Sequence, residues 1–271
     1  YPEELPSSIR LVNSYSAAEA IDDELKTATA FSYASPFEEL LASKSTFPTY
    51  SRAYDVGHWN QFGAFIGYST LMKAVKEQIP DLRILKEEDF SISEVGREVR
   101  TDWGFSSTEL DLNYEPKFTR TAIEDPSFFD KINYASKDTW KSYRYFENPD
   151  TTLPRTIIVG DSYVWKFLLQ NMAESFSELV FIHFLDLDQF NNLATYVKPD
   201  VVILAGQGFP GIWHASLLSI ENLSAEIVSQ NTPTTIERGQ SYNVDIIVKN
   251  TGDSFWSEDE QIRLCIFQDG K

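Results

Sequence analysis

Ser162 closes the tripeptide Gly160-Asp161-Ser162, which follows the apolar run Arg155-Thr-Ile-Ile-Val159 and precedes the helical composition of Tyr163–Phe176. A hydroxyl on a sharp strand-to-helix turn stands at the active edge of a sheet. The first backbone N–H groups of the helix point to the same place, where they stabilise an oxyanion. A second reading competes, in which Asp161 or Ser162 only caps the helix. A serine hydroxyl is inert without a base, and the chain offers three histidines. His183 lies inside Val180-Phe-Ile-His-Phe-Leu185, where a packed or strand-edge role is expected. His214 follows Gly211-Ile-Trp213 with no orienting acid nearby.

His58 differs. Asp55 precedes it by three residues, and Gly57 permits the turn that folds the carboxylate back against the ring. A carboxylate on Nδ1 fixes the tautomer and leaves Nε2 to take the serine proton. The competing reading makes Asp55 or Asn60 a helix N-cap and His58 a surface residue.

The elements that must position these residues follow from the apolar pattern. Ser16–Leu25 and Pro36–Leu41 have helical composition, with a β-prone run at Thr27–Tyr33 between them. Phe62, Phe65, Ile66, Met72, Val75 and Ile79 recur at three and four, which predicts a helix over Gln61–Ile79, stopped by Pro80. Residues 81–150 are polar and acidic and read as a long insertion with short helices, of the length found in lids and binding surfaces. Three apolar runs then alternate with helical stretches: residues 155–159, Leu179–Phe184 and Asp200–Ala205, with helices at Tyr163–Phe176 and Asp188–Tyr196. That order predicts an α/β fold on a parallel sheet with right-handed crossovers. Ser162 and Gly206-Gln207-Gly208 fall at the carboxyl ends of its strands, where ligands bind. From residue 224 the alternation Tyr242-Asn-Val-Asp-Ile-Ile-Val, Asn250-Thr-Gly-Asp253, Phe255-Trp256 and Ile262–Phe267 predicts a partial all-β sandwich over 224–271, after a first domain of residues 1–222.

Composition limits the partners. Among 271 residues, 23 Lys+Arg against 41 Asp+Glu give a formal charge of −18. Nucleic acid is a poor partner and anionic membrane surfaces are disfavoured, because both need clustered cations. No apolar run reaches a bilayer-spanning length. The single Cys265 has no internal disulfide partner, which suits a cytosolic or a bacterial surface protein.

Gly160-Asp161-Ser162 after an apolar strand, together with Asp55-x-x-His58, resembles the first and last blocks of the SGNH/GDSL hydrolase superfamily. In ordinary members the serine block comes first. The reversed order here resembles the alginate O-acetyltransferase branch, whose arrangement is circularly permuted. Tyr1-Pro-Glu-Glu-Leu-Pro6, Tyr54-Asp55, His58-Trp59-Asn60-Gln-Phe-Gly63-Ala64, Gly160-Asp-Ser-Tyr163 and Lys198-Pro-Asp-Val-Val-Ile203 carry further similarity. Two departures stand out. Two residues, not one, separate the acid from the histidine, and Gly206-Gln207-Gly208 replaces the superfamily's Gly-x-Asn-Asp block.

The resemblance extends the α/β reading to a three-layer α/β/α arrangement. It implies Ser162 as nucleophile, His58 as base and Asp55 as its orienting acid; where the superfamily's oxyanion asparagine is missing, the backbone amides of Ser162 and Tyr163 are the expected donors, with the Gln207 side chain as the candidate replacement. It implies O-acetyl transfer to an extracellular or cell-wall polysaccharide through an acetyl-serine, and no metal or organic cofactor. A membrane-bound O-acyltransferase would supply the acetyl group. The protein would be extracytoplasmic, with any anchoring segment outside this chain. A carbohydrate acetylesterase of the same fold, and a surface polysaccharide-binding protein with a decayed triad, are the alternatives. The acidity predicts a neutral rather than polyanionic acceptor. Trp59, Trp165 and Trp213 lie beside the motifs, where a sugar platform and core packing are both open readings. The C-terminal segment resembles immunoglobulin-like modules of bacterial surface proteins.

Overall fold

The computed structural model describes residues 8, 17–27, 31–55, 57–100, 106–207, 225–231, 233, 235 and 244–251. Two compact units divide the chain, Tyr1–Pro210 and Gly211–Lys271.

The first unit opens with α1 (Ala17–Lys26), α2 (Phe37–Ser43) and α3 (Gln61–Gln78). α3 follows the expected periodicity, burying Phe62, Phe65, Tyr68, Met72 and Val75. Asn60 starts it as N-cap, its Oδ1 accepting the Gly63 N–H at 2.9 Å. Residues 31–33, the described end of the β-prone run, form no strand.

The main sheet comes from the second half of the unit. A five-stranded sheet has the order β3-β4-β6-β5-β7, with β3 at Ile123–Glu124, β4 at Arg144–Glu147, β5 at Arg155–Gly160, β6 at Glu178–His183 and β7 at Val201–Ala205. β5 pairs in parallel with both β6 and β7, while β4 runs antiparallel to β6 and to β3. The α/β reading therefore holds, and the sheet is mixed rather than wholly parallel. Ile157, Ile158 and Val159 of β5 have no exposed surface, as a central strand covered on both faces requires. Ile158, Leu179 and Phe181 pack with Phe65, Tyr68 and Met72 of α3 on one face. That face also holds α5 (Ser162–Trp165) and α6 (Leu169–Ala173), two short helices where one continuous helix was expected. α7 (Phe190–Val197), preceded by a 3-10 turn at Phe184–Gln189, packs against β5.

Residues 81–150 are more ordered than their composition suggests. Phe90–Arg100 (β1) and Ser106–Pro116 (β2) form an antiparallel hairpin in continuous register from Phe90↔Pro116 to Arg100↔Ser106. The same stretch supplies α4 (Phe128–Lys131), β3 and β4. The hairpin escaped the sequence reading because burial opposes hydropathy in the middle of β2. Asp111 is fully buried, whereas Leu110 beside it is 57% exposed.

In the second unit, β8 (Ala225–Gln230) and β9 (Ile246–Asn250) pair antiparallel, with a register shift between Ile227 and Ser229. The remaining expected sandwich strands, including Phe255, Trp256 and Ile262–Phe267, lie outside the described residues.

Candidate active site

Residues 50–60 form a closed loop. Tyr50 and Trp59 make an isolated antiparallel bridge, Ser51 N–H donates to the His58 carbonyl at 3.0 Å, and His58 N–H donates to the Asp55 carbonyl at 3.2 Å. Gly57 has φ of 92°, a left-handed value that a side chain would strain, so the turn requires this glycine. The result places Asp55 Oδ1 at 3.1 Å from His58 Nδ1.

Ser162 arrives from the other half of the unit. Asp161, in extended conformation at the end of β5, is the N-cap of α5, and its Oδ1 accepts the Tyr163 N–H at 2.9 Å. Its Oδ2 accepts the Gln207 N–H at 2.7 Å, tying the ends of β5 and β7 together. Burial is the largest influence on the Asp161 carboxyl and raises its pKa, against the two amides that favour the charge. Asp161 is thus the cap, and Ser162 stands at the first helical position.

Ser162 Oγ lies 2.7 Å from His58 Nε2. The structure therefore brings Ser162, His58 and Asp55 into one hydrogen-bond relay across 104 residues of sequence. With Nδ1–H donating to Asp55, the Nε2 lone pair faces the serine hydroxyl, the tautomer a general base needs. Two further contacts dock the histidine loop onto the serine helix. Trp59 Nε1–H donates to the Tyr163 carbonyl at 3.1 Å, and the Tyr163 hydroxyl donates to the Gly57 carbonyl.

Among the expected oxyanion donors, the Tyr163 amide is engaged elsewhere, and Gln207, expected to act through its side chain, is tied by its backbone. The backbone N–H groups of Tyr163 and Gln207 both point into the Asp161 carboxylate. A donor already committed there is not aimed at a developing oxyanion. The Ser162 amide heads α5 and has no acceptor within the helix.

Of the three tryptophans beside the motifs, Trp59 and Trp165 follow the packing reading. Trp59 packs edge-to-face on Tyr163 and against Gly67, and Trp165 packs on the core beneath the Arg144 guanidinium. Trp213 and His214 lie outside the described residues. His183 is buried at the end of β6, and burial lowers its pKa.

Four residues with roles here escaped the sequence reading. Lys166, one helical turn after Ser162, contacts both Asp55 oxygens, and its i+4 spacing was the available signal. Glu109 and Asp111 hold the histidine loop from β2. Trp140, 75% exposed, rests edge-on against His183, whose strand neighbour is Gly160. Its loop is firmly held. Asp138 accepts the Trp140 and Ser142 N–H groups at 3.0 and 2.7 Å. Asp186 accepts the Tyr134 and Ser136 hydroxyls at 2.8 and 2.6 Å.

The structure is similar to that of Bacillus cereus PatB1, with a TM-score of 0.51 and 16% identity, covering 76% of this chain and 77% of that one. A second PatB1 structure, with a sulfonyl adduct, has a TM-score of 0.42 at 16% identity, covering 55% and 58% of the two chains. A DHHW family protein from Eubacterium siraeum has a TM-score of 0.47 at 12% identity, covering 69% and 68%. The first likeness is one of fold. No family model and no curated protein matches the sequence.

Proposed function

We propose that this chain is a serine-dependent O-acetyltransferase acting on an extracellular or cell-wall polysaccharide. The observation that carries the reading is the 2.7 Å approach of Ser162 Oγ to His58 Nε2, with Asp55 at 3.1 Å on the other ring nitrogen. In the first half-reaction Ser162 Oγ attacks the acetyl carbonyl of a donor ester while its proton passes to His58 Nε2. Collapse of the tetrahedral intermediate breaks the bond to the donor oxygen, which takes the proton from His58. In the second half-reaction a sugar hydroxyl gives its proton to Nε2 and attacks the acetyl-serine, and Ser162 leaves with that proton. Asp55 stabilises the imidazolium in both halves without taking the proton.

The acceptor in this reading is neutral, since a −18 chain repels polyuronates. Trp140 offers it an aromatic face one strand away from Ser162. The acetyl group comes from a membrane-bound O-acyltransferase, and the protein works outside the cytoplasm, as the family resemblance implies. A carbohydrate acetylesterase is the second reading. It is favoured by the partial exposure of His58 and Asp55, which lets water reach the relay. A binding-only protein has no need of three side chains kept in relay order.

Incubation with p-nitrophenyl acetate, followed by intact-mass measurement, tests the chemistry. The expected result is a one-acetyl adduct that Ser162→Ala lacks, with transfer to an added neutral oligosaccharide. Release without transfer to any glycan selects the esterase. The absence of both adduct and Ser162-dependent release overturns both enzymatic readings.

A further inference from the structure

We propose that the β1–β2 hairpin is a brace for the catalytic loop and that Glu109 and Asp111 are positioning residues for Asp55 and His58, an inference that rests on the acetyl-transfer reading. The two carboxylates, spaced i and i+2 on β2, grip the loop on either side of the pair. Glu109 accepts the backbone N–H groups of Arg52, Ala53 and Tyr54, the last two at 2.9 and 3.0 Å, and the Ser51 hydroxyl at 3.2 Å. Ser51 Oγ in turn accepts the Asp55 N–H at 2.8 Å. A continuous chain of hydrogen bonds therefore runs from the Glu109 carboxylate to the backbone of the orienting acid.

Asp111 secures the far side. It accepts the Gln61 N–H at 3.2 Å, at the first turn of α3, and the Tyr54 hydroxyl at 3.0 Å. Arg97, across the hairpin on β1, donates to it through Nε at 3.3 Å. His58 sits between these anchor points, its carbonyl already tied to Ser51 N–H.

The exposure pattern argues that this arrangement is more than packing. Burying a carboxylate costs stability unless donors surround it, and exposing a leucine forfeits hydrophobic stabilisation. β2 does both at adjacent positions, with Asp111 inside and Leu110 outside. Farther along β2, Tyr114 on Leu110's side of the strand stacks on Phe65 of α3, so the strand covers the helix at one end and turns Glu109 and Asp111 to the loop at the other.

The test compares Glu109→Gln, Glu109→Asp and Asp111→Asn with the unaltered chain, using p-nitrophenyl acetate kinetics and the NMR signal of the His58 Nδ1 proton. Glu109→Gln keeps one acceptor but loses the second carboxylate oxygen. Its kcat is expected to fall roughly ten- to hundredfold, in line with misplacement of a catalytic group by about 1 Å. KM should stay within about twofold, the Nδ1 proton signal should shift or broaden, and Glu109→Asp should recover part of the rate. Asp111 is fully buried, so Asp111→Asn is read only if it folds. The partly exposed Glu109 keeps the test decisive. Unchanged kcat in folded Glu109→Gln, or a fall in kcat with an unaltered Nδ1 signal, overturns the brace. Failure of the acetyl-transfer reading looks different: the unaltered chain then shows no Ser162-dependent acetyl release. In that case the response of the Nδ1 signal to Glu109→Gln still decides whether the hairpin sets the histidine.

Discussion

Lys166 Nζ lies 2.8 and 3.1 Å from the two carboxylate oxygens of Asp55, the residue that also faces His58 Nδ1. Two donors thus share one acid, and Nζ itself is 3.5 Å from Nδ1. The lysine holds the plane of the carboxylate so that Oδ1 stays on the imidazole. Without it, a partly exposed Asp55 is free to turn toward water. Lys166→Met is therefore expected to lower kcat for acetyl-ester hydrolysis about tenfold, since a hydrogen bond to a charged group contributes about 1.5–3 kcal/mol. Lys166→Arg, which restores the cation, should recover most of the rate. Equal kcat in Lys166→Met and the unaltered chain would show that the contact is only a surface ion pair.

How far the site was legible in the sequence depends on the range of each interaction. The turn from β5 into Ser162 and the helix after Asn60 were visible, because a short apolar run and a three-four period are local signals. The Asp55–His58 pairing was legible for the same reason, needing only three residues and a glycine. The engagement of the Tyr163 and Gln207 amides was not. Asp161 uses both carboxylate oxygens on amides, one from the β7 end 46 residues away. No spacing rule signals such a capture. The hairpin was missed because Asp111 faces inward and Leu110 outward, so its alternation looks like surface acidity. Trp140 was passed over because the two buried carboxylates that hold its loop, Asp138 and Asp186, are 48 residues apart.

Trp140 should matter for the glycan and not for the chemistry. Its ring is exposed on a loop fixed by Asp138 and Asp186, beside the strand that flanks Gly160. Stacking of a sugar ring on such a face is driven mainly by apolar contact. Trp140→Ala is expected to raise KM for an oligosaccharide acceptor roughly tenfold, equivalent to about 1.4 kcal/mol. kcat/KM for p-nitrophenyl acetate hydrolysis should stay within twofold. Steady-state transfer assays with both substrates check this, and an unchanged acceptor KM would remove Trp140 from the binding surface.

His183 gives stability a defined pH dependence. Burial lowers its pKa below the ordinary 6.5, outweighing the opposing pull of Asp138, Asp161 and Asp186. The unfolded chain therefore takes up this proton before the folded one as pH falls. The contribution of neutral His183 is complete above pH 6.5 and is lost as pH falls from there through the lower folded value, at no more than about 1.4 kcal/mol per pH unit. Asp161, whose pKa is raised by burial, acts in the opposite sense at lower pH. The comparison with His183→Asn isolates the histidine. Between pH 7.5 and 5.5 the urea midpoint of the unaltered chain should fall further than that of His183→Asn. Parallel midpoints would exclude His183 as the titrating group.

Gly67 should be intolerant of even one added carbon, with consequences that reach the serine. A Cβ at this position would stand 2.5 Å from Cη2 and Cζ3 of Trp59, well inside van der Waals contact. α3 is packed on both sides of this point by Ala64, Tyr68 and Leu71 of the core, so the helix has little room to retreat. The ring must move instead. Its Nε1–H holds the Tyr163 carbonyl at 3.1 Å, and Trp59 adjoins His58 in sequence. Displacement therefore acts on the serine helix and the histidine loop together. Overpacking of this kind costs about 1–3 kcal/mol. Gly67→Ala is expected to lower Tm and also to reduce kcat, whereas Trp59→Phe in the same background should recover stability by removing the clashing ring atoms. A double-mutant cycle on Gly67 and Trp59 measures this directly. Additive effects would mean that the two residues are not coupled and that the added carbon is accommodated elsewhere.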